Sequence, residues 1–381
     1  MSATYDAIVL GVGGMGSATL YHLARRGLRV LGIERFDVPH DMGSSHGITR
    51  IIRLAYYEHP AYVPLLRRAY ELWDRLEDAT GRKLLYRTGS LDVGPPEGDV
   101  FAGSLESCRR HGLDHQVLSA REVNQRWPAF RLPEGMSAVF QPDGGFLLPE
   151  ECIVAHVEMA SRLGARVHAR ERVLEWEETA HGGVRVVTDR GSYEADVLVV
   201  TAGAWAAALL PELEGLAVSE RQVLGWFQPR RPELFHHRRF PVFILDVPEG
   251  HYYGFPVFKV PGFKIGLFHH LGEPMDPDHQ DREPRPQDEE VLRRATRAYF
   301  PDGDGPTMAL KTCMFTNSPD EHFILDRLPG RPQVCVGAGF SGHGFKFAAV
   351  VGEILADLAQ KGSTGHDVAM FSISRFGGDG E

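Results

Sequence analysis

The sequence predicts an α/β fold in which one lobe, built on a strand, turn, helix, strand unit, is interrupted by a second, sheet-rich lobe. Three observations carry that expectation. An apolar run at residues 7–10 enters the turn Gly11-Val12-Gly13-Gly14-Met15-Gly16 and continues into helical spacing. The stretch 211–312 changes texture, to aromatic β-type runs and a charged, Pro-rich loop at 273–287. Beyond it a short apolar strand, 334–336, meets a second glycine cluster at 337–344 and then a helix, as at the N-terminus.

Taken in order, residues 17–26 have helical spacing, Gly27 stops the helix, and 29–34 resume a strand that ends in an acid, Glu34. Residues 61–79 read as a second helix closed by Gly81, and 84–93 as extended chain. Ser119-Ala120-Arg121-Glu122 has the form of a capping box, opening a short helix that Pro128 closes. A helix over 149–163 is followed by a predicted three-strand meander: 166–176, 184–188 and 193–201. Its last strand holds the apolar run Val197-Leu198-Val199-Val200, as for a strand buried on both faces, and ends at Thr201-Ala202-Gly203. The second lobe is expected to carry strands at 223–227, 252–258 and 263–268 and a helix at 288–300.

The 381 residues carry 41 Lys+Arg against 51 Asp+Glu, a formal charge of −10, which argues against a protein that works by gripping nucleic-acid phosphates. With 43% hydrophobic residues the chain can build a large core, which excludes a disordered or disulfide-stapled class. Cys108, Cys152, Cys313 and Cys335 have no metal-ligand spacing, so no metal is expected and a reducing, cytoplasmic setting is. Residues 1–6 have no basic signal region, and 378–381 no recognisable address. The longest uncharged stretch, 7–24, holds four glycines and is too polar for a membrane helix, which needs about 20 mostly apolar residues.

In the first unit Gly11 permits a tight turn, Gly13 lets backbone approach a pyrophosphate, and Gly16 lets helix and strand pack closely. The helix N-terminus attracts phosphate, and Glu34, 18 residues after Gly16, is placed to accept a ribose hydroxyl. An acid there disfavours a 2′-phosphate and leaves FAD or NAD, which the local sequence does not separate. The second cluster reads either as another helix start facing the same ligand or as a flexible loop before a surface helix. Arg50 and Arg53 read either as a carboxylate-binding pair or as a solvated face. Lys264 points opposite to Phe263 and Ile265 by alternation and is otherwise an edge lysine; Lys346 reads as readily as solvated. Cys313 by itself reads as an inert core thiol.

Together these pieces resemble the monomeric sarcosine oxidase and N-methyltryptophan oxidase family of flavoenzymes, nearly end to end. The resemblance rests on Gly11 to Gly16, residues 46–53, Tyr252-Tyr253-Gly254-Phe255-Pro256, Cys313-Met314-Phe315-Thr316 with Pro319-Asp320-Glu321-His322-Phe323, and Gly339-Phe340-Ser341-Gly342-His343-Gly344-Phe345-Lys346. It implies an FAD-binding Rossmann-like domain, here 1–85, 149–210 and 313–381, and a substrate domain, 86–148 and 211–312. It implies FAD joined by a thioether from Cys313 to the flavin 8α carbon. The cofactor contacts that follow are Gly11, Gly13, Gly14, Gly16, Glu34, Arg35, Gly203, Cys313, Gly342, Gly344 and Lys346. Arg53 and Lys346 would clamp a substrate carboxylate, with Tyr253 and Phe315 lining its pocket, and Lys264 would supply the cation that assists oxygen reduction. Arg50, His46 and His269 complete the expected catalytic group.

Three departures stand out. Phe315 occupies a position where the family usually has tyrosine, and Ile48 one that is commonly acidic. The segment after Gly266 is one residue longer, so the pocket histidine of relatives corresponds to His269 or His270. The reading is a monomeric, FAD-containing oxidase of small secondary amines bearing a carboxylate, sarcosine first, with oxygen as acceptor. N-methyltryptophan or pipecolate oxidation is the near alternative. An NAD-linked dehydrogenase and a flavin-binding module without turnover are the alternatives of another class.

Overall fold

The computed structural model describes residues 3–377. Residues 1–2 and 378–381, part of the stretch read for a signal and all of the tail read for an address, lie outside the described residues. The predicted first unit forms from strand Ala3–Leu10, helix Gly14–Arg25 and strand Val30–Ile33. Ala3–Leu10 lies between Val30–Ile33 and Ser192–Val200, parallel to both. The helix starts three residues earlier than its apolar spacing indicates, because the glycines themselves form its first turn. A Cβ on Gly16 would stand 1.8 Å from the carbonyl oxygen of Gly11, so only hydrogen fits between helix and strand. On the outer side, helix Ala348–Lys361 also packs too closely for a side chain: a Cβ on Gly352 would be 2.5 Å from the Ala18 carbonyl carbon.

This unit anchors an eight-stranded sheet. The meander differs from expectation in one respect. Residues 166–176 are not one strand: Arg166–His168 pairs in parallel with Val30–Ile33, and Val173–Glu178 pairs with Val184–Thr188. The break has a local cause, since Arg170 adopts φ +56°, which no strand tolerates. The intervening backbone instead hydrogen-bonds to Glu34 and Phe36. Ser192–Val200 is shared along its length, pairing first with Val184–Thr188 and at its end, in parallel, with Arg331–Ala338. Chain from the two termini and the middle thereby meets in one sheet.

A second eight-stranded sheet runs in the order Thr307–Asn317, Val218–Phe227, Phe263–Leu267, Gly250–Phe255, Val242–Val247, Ser90–Gly94, Ser137–Gln141, Gln116–Ser119. Helix Pro286–Tyr299 and a cluster of Phe130, Phe240, Phe243, Phe263 and Phe300 fill one face. Thr307–Asn317 is one continuous strand running through the 312/313 position expected to divide the lobes, and the chain rejoins the first sheet only at Ile324–Leu328. The capping box at Ser119 and Glu122 is present and opens helix Ala120–Arg126. Among the described residues no helix is long and apolar enough to cross a membrane.

Candidate active site

A crevice lined by residues of both lobes runs from Glu34 to Phe315. At its first end Gly11, Gly13 and Gly14 form the floor. Gly11, at φ +86°, would bring a Cβ within 2.7 Å of the Thr201 carbonyl oxygen, whereas a Cβ on Gly13 would meet nothing within 4 Å. The turn is therefore tight against the protein and open toward the crevice, a cradle suited to a pyrophosphate at the N-terminus of helix Gly14–Arg25. Glu34 is buried beside it and accepts from the amides of Val12 (2.8 Å) and Phe36 (3.0 Å). Burial alone would raise its pKa, but His40 and those amides hold it below the ordinary value, so the carboxylate stays charged. Arg35 and Gly203 line the same end. Arg35 is ion-paired to Asp278, which also accepts from the Trp205 indole at 2.8 Å. Asp278, on the charged loop of the second lobe, went unnoticed in the sequence because nothing local marks it.

At the far end Cys313 lines the crevice. Its sulfur stands 3.7 Å from Nη2 of Arg50, whose guanidinium also donates to the carbonyls of Ser44 (2.7 Å) and Thr49 (2.9 Å). The other three cysteines are buried in the cores, and burial pushes Cys108 and Cys335 up to about 12. Cys313 is thus the thiol with both a cation and open space beside it.

Lys264 is not an edge residue. Its strand is central, between Val218–Phe227 and Gly250–Phe255, and its side chain passes over the Phe255 ring at 4.2 Å. It lies behind the crevice wall, donating to Gly47 O (2.8 Å), Thr49 O (2.8 Å) and Thr49 Oγ1 (3.0 Å). Burial, then Arg50, pulls its pKa well down, yet three acceptors are matched by the three protons of an ammonium. The loop it grips is strained: Gly47 is at φ +97° and Ile48, a β-branched residue, at +73°. Glu150 holds the other edge of that loop, its Oε1 accepting from the amides of Gly47 (2.7 Å) and Ile48 (3.1 Å). His46 is buried with neither ring nitrogen partnered in the structure and faces a separate shallow recess rather than the crevice. Burial, then Arg50, keeps it neutral.

Arg53 is fully buried, which removes the solvated reading. Its Nη2 donates to both carboxylate oxygens of Glu58 (2.9 and 2.8 Å), its Nη1 donates to Ala55 O, and its guanidinium lies over the Tyr56 and Tyr57 rings. Lys346 lines the crevice near it, donating to His343 O at 2.8 Å, and burial lowers its pKa to about 7. Buried Asp92, pushed up to about 6 by desolvation, stands 3.7 Å from Arg53 Nε. Glu58 and Asp92 were missed in the sequence, where single acids carry no pattern. The cluster of 337–344 is followed by a helix as expected: a 3-10 turn, Phe345–Phe347, runs directly into helix Ala348–Lys361. Gly342 and Gly344 line the crevice.

Tyr253 and Phe315 line the crevice as expected, with burial pushing the Tyr253 phenol up. The histidine expectation fails for both candidates. His269 lies outside the crevice, bridging Glu220 and Glu321 at 3.1 Å each, and these partners raise it to about 9. His270 is buried against Asp288 at 2.8 Å. Both take positive φ, 60° and 43°, in the turn that follows Phe263–Leu267, and it is Phe268 that reaches the crevice.

The profile of the "FAD dependent oxidoreductase" family matches residues 6–358. A monomeric sarcosine oxidase of Streptomyces avermitilis is 43% identical over 380 residues, 98% of either chain. An N-methyl-L-tryptophan oxidase of Yersinia pestis is 37% identical over 378 residues, 98% of this chain and 99% of its own. In three dimensions the chain resembles NikD, described as an unusual amino acid oxidase essential for nikkomycin biosynthesis, with a TM-score of 0.83, 27% identity and coverage of 97% and 98%. The choice between NAD and FAD, open in the local sequence, goes to FAD, and the cradle and the ionised Glu34 fit it. The chain belongs to the FAD-dependent oxidoreductase family, among the relatives of the monomeric sarcosine oxidases.

Proposed function

We infer that this protein oxidises N-methyl amino acids, sarcosine among them: sarcosine, oxygen and water give glycine, formaldehyde and hydrogen peroxide. The observation that carries the reading is the meeting, in one crevice, of a dinucleotide cradle, the Cys313 thiol and the buried cations Arg53 and Lys346. Gly11, Gly13, Gly14, Glu34, Arg35 and Gly203 would hold the nucleotide end, with Gly16 shaping the turn, and Gly342 and Gly344 would border the ring end. FAD, when bound, supplies two-electron oxidation of the amine and hands the electrons to oxygen.

The chain's own groups account for the rest. Lys346 and Arg53 bind the substrate carboxylate; Arg53 is oriented by Glu58 and enclosed by two tyrosine rings, so little ordering remains when the anion arrives. The positive cluster disfavours an ammonium nearby, so the amine is held neutral, with a lone pair available. Tyr253 and Phe315 shield it from water. Lys264 places fixed positive charge behind the 47–49 loop, where negative charge develops as oxygen is reduced. The Cys313 sulfur stands beside Arg50, and a thioether from that sulfur to the flavin 8α carbon follows the family pattern. His46 is read as a neutral spacer beside Arg50. The protein acts as a monomer in this reading, like the monomeric sarcosine oxidases that it resembles.

The test is direct. Purified protein should be yellow and release peroxide with sarcosine. Comparison of kcat/KM on sarcosine, N-methyltryptophan, pipecolate and proline ranks the substrates, and a colourless protein inactive on all four refutes the assignment. Acid precipitation should leave the colour with the polypeptide, whereas Cys313→Ser should release it.

A further inference from the structure

The carboxylate clamp says where an amino acid is held by its acid group but not what surrounds the rest of it. That surrounding can be traced ring by ring. The Phe315 ring lies against Gly342, where a Cβ would come within 2.5 Å of it. Gly342 is followed by His343, whose carbonyl holds the Lys346 ammonium. On its other side Phe315 meets Phe268, with ring centroids 5.3 Å apart. Both rings line the crevice, together with Tyr253, Ile244 and Phe255. The polar group that the sequence offered at this turn has left: His269 faces Glu220 and Glu321 outside, and His270 faces Asp288. A ligand with its carboxylate on Lys346 therefore presents its remaining substituents to an aromatic wall.

We propose that Phe268, packed at a tilt against Phe315, is the specificity-determining residue of this pocket, and that it selects secondary amino acids bearing an apolar side chain over sarcosine. The inference rests on the clamp reading above and narrows the substrate class. The physical reason is desolvation: sarcosine has no side chain and leaves the wall facing water, whereas an apolar side chain covers the rings and removes both surfaces from solvent. Burial of a phenyl-sized group corresponds to tenfold or more in affinity.

The test uses the holoenzyme and two carboxylates that have no amine to oxidise, acetate and 3-phenylpropionate, titrated by calorimetry. The expected result is that 3-phenylpropionate binds at least tenfold more tightly than acetate. Phe268→Ala should collapse that ratio toward one, and Phe268→Leu should restore part of it. The ratio of kcat/KM for N-methyl-L-phenylalanine over sarcosine should fall in parallel. Equal affinities in the unmutated protein, or a ratio unmoved by Phe268→Ala, overturn the specificity role and leave the clamp standing. Binding of neither carboxylate overturns the clamp, and this inference with it.

Discussion

Lys346 makes the carboxylate site sensitive to pH in a defined direction. Its ammonium is fully enclosed and burial brings its pKa to about 7, with Glu58 opposing the shift and Arg53 adding to it. Only the protonated form attracts a carboxylate, so the affinity for acetate should be constant below about pH 6 and weaken tenfold per unit above 7. At pH 9 about one molecule in a hundred keeps the proton, a loss of ~2.7 kcal/mol. Calorimetric titration with acetate from pH 5.5 to 9.5 measures this. His269, near 9, and Asp92, near 6, titrate in the same window, so Lys346→Met is the control. It should weaken plateau binding by about 1.5–3 kcal/mol and abolish the slope above 7. The same depressed pKa bears on stability: between about 7 and the unfolded value of about 10.4 the unfolded chain holds the proton and the folded one does not. Stability from this group therefore rises with pH across that window, and Lys346→Met should remove the rise. An acetate affinity unchanged from pH 6 to 9, or a slope that survives in Lys346→Met, refutes the reasoning.

Arg53→Met should cost binding and folding together, since Glu58 and Asp92 would be left buried without their cation; urea denaturation should show a loss of about 3–5 kcal/mol. For Lys264→Met, stopped-flow absorbance should show the bound flavin still reduced by substrate but reoxidised about 10²–10³ times more slowly; unchanged oxygen reactivity removes the role given to Lys264. In the second lobe, Arg221 is bidentate to Asp288 (2.8 and 2.9 Å) and also holds the carbonyls of Asp281 and Glu283 in the charged loop. Asp288→Asn should lower stability by about 3–5 kcal/mol at neutral pH, seen as an earlier urea midpoint.

By itself the sequence determined whatever depends on neighbours along the chain. The strand, glycine turn and helix at 3–25, the buried acid at 34, the capping box at 119–122 and the alternation that turns Lys264 away from Phe263 are local: Cβ sterics and hydrogen-bond reach act over a few residues. The Arg170 break in the expected meander escaped because one left-handed residue leaves no trace in a hydrophobic pattern. Family motifs placed Cys313, Arg53 and Lys346 in one site without saying what holds them. Only the tertiary structure decided that Arg53 is shared with Glu58 and Asp92, that Glu150 and Lys264 grip opposite edges of a strained loop, and that Phe268 rather than His269 or His270 faces the crevice. The partners come from strands and loops up to hundreds of residues apart. Which of them meet depends on how the two sheets and their connecting turns pack, and burial then sets the charge states.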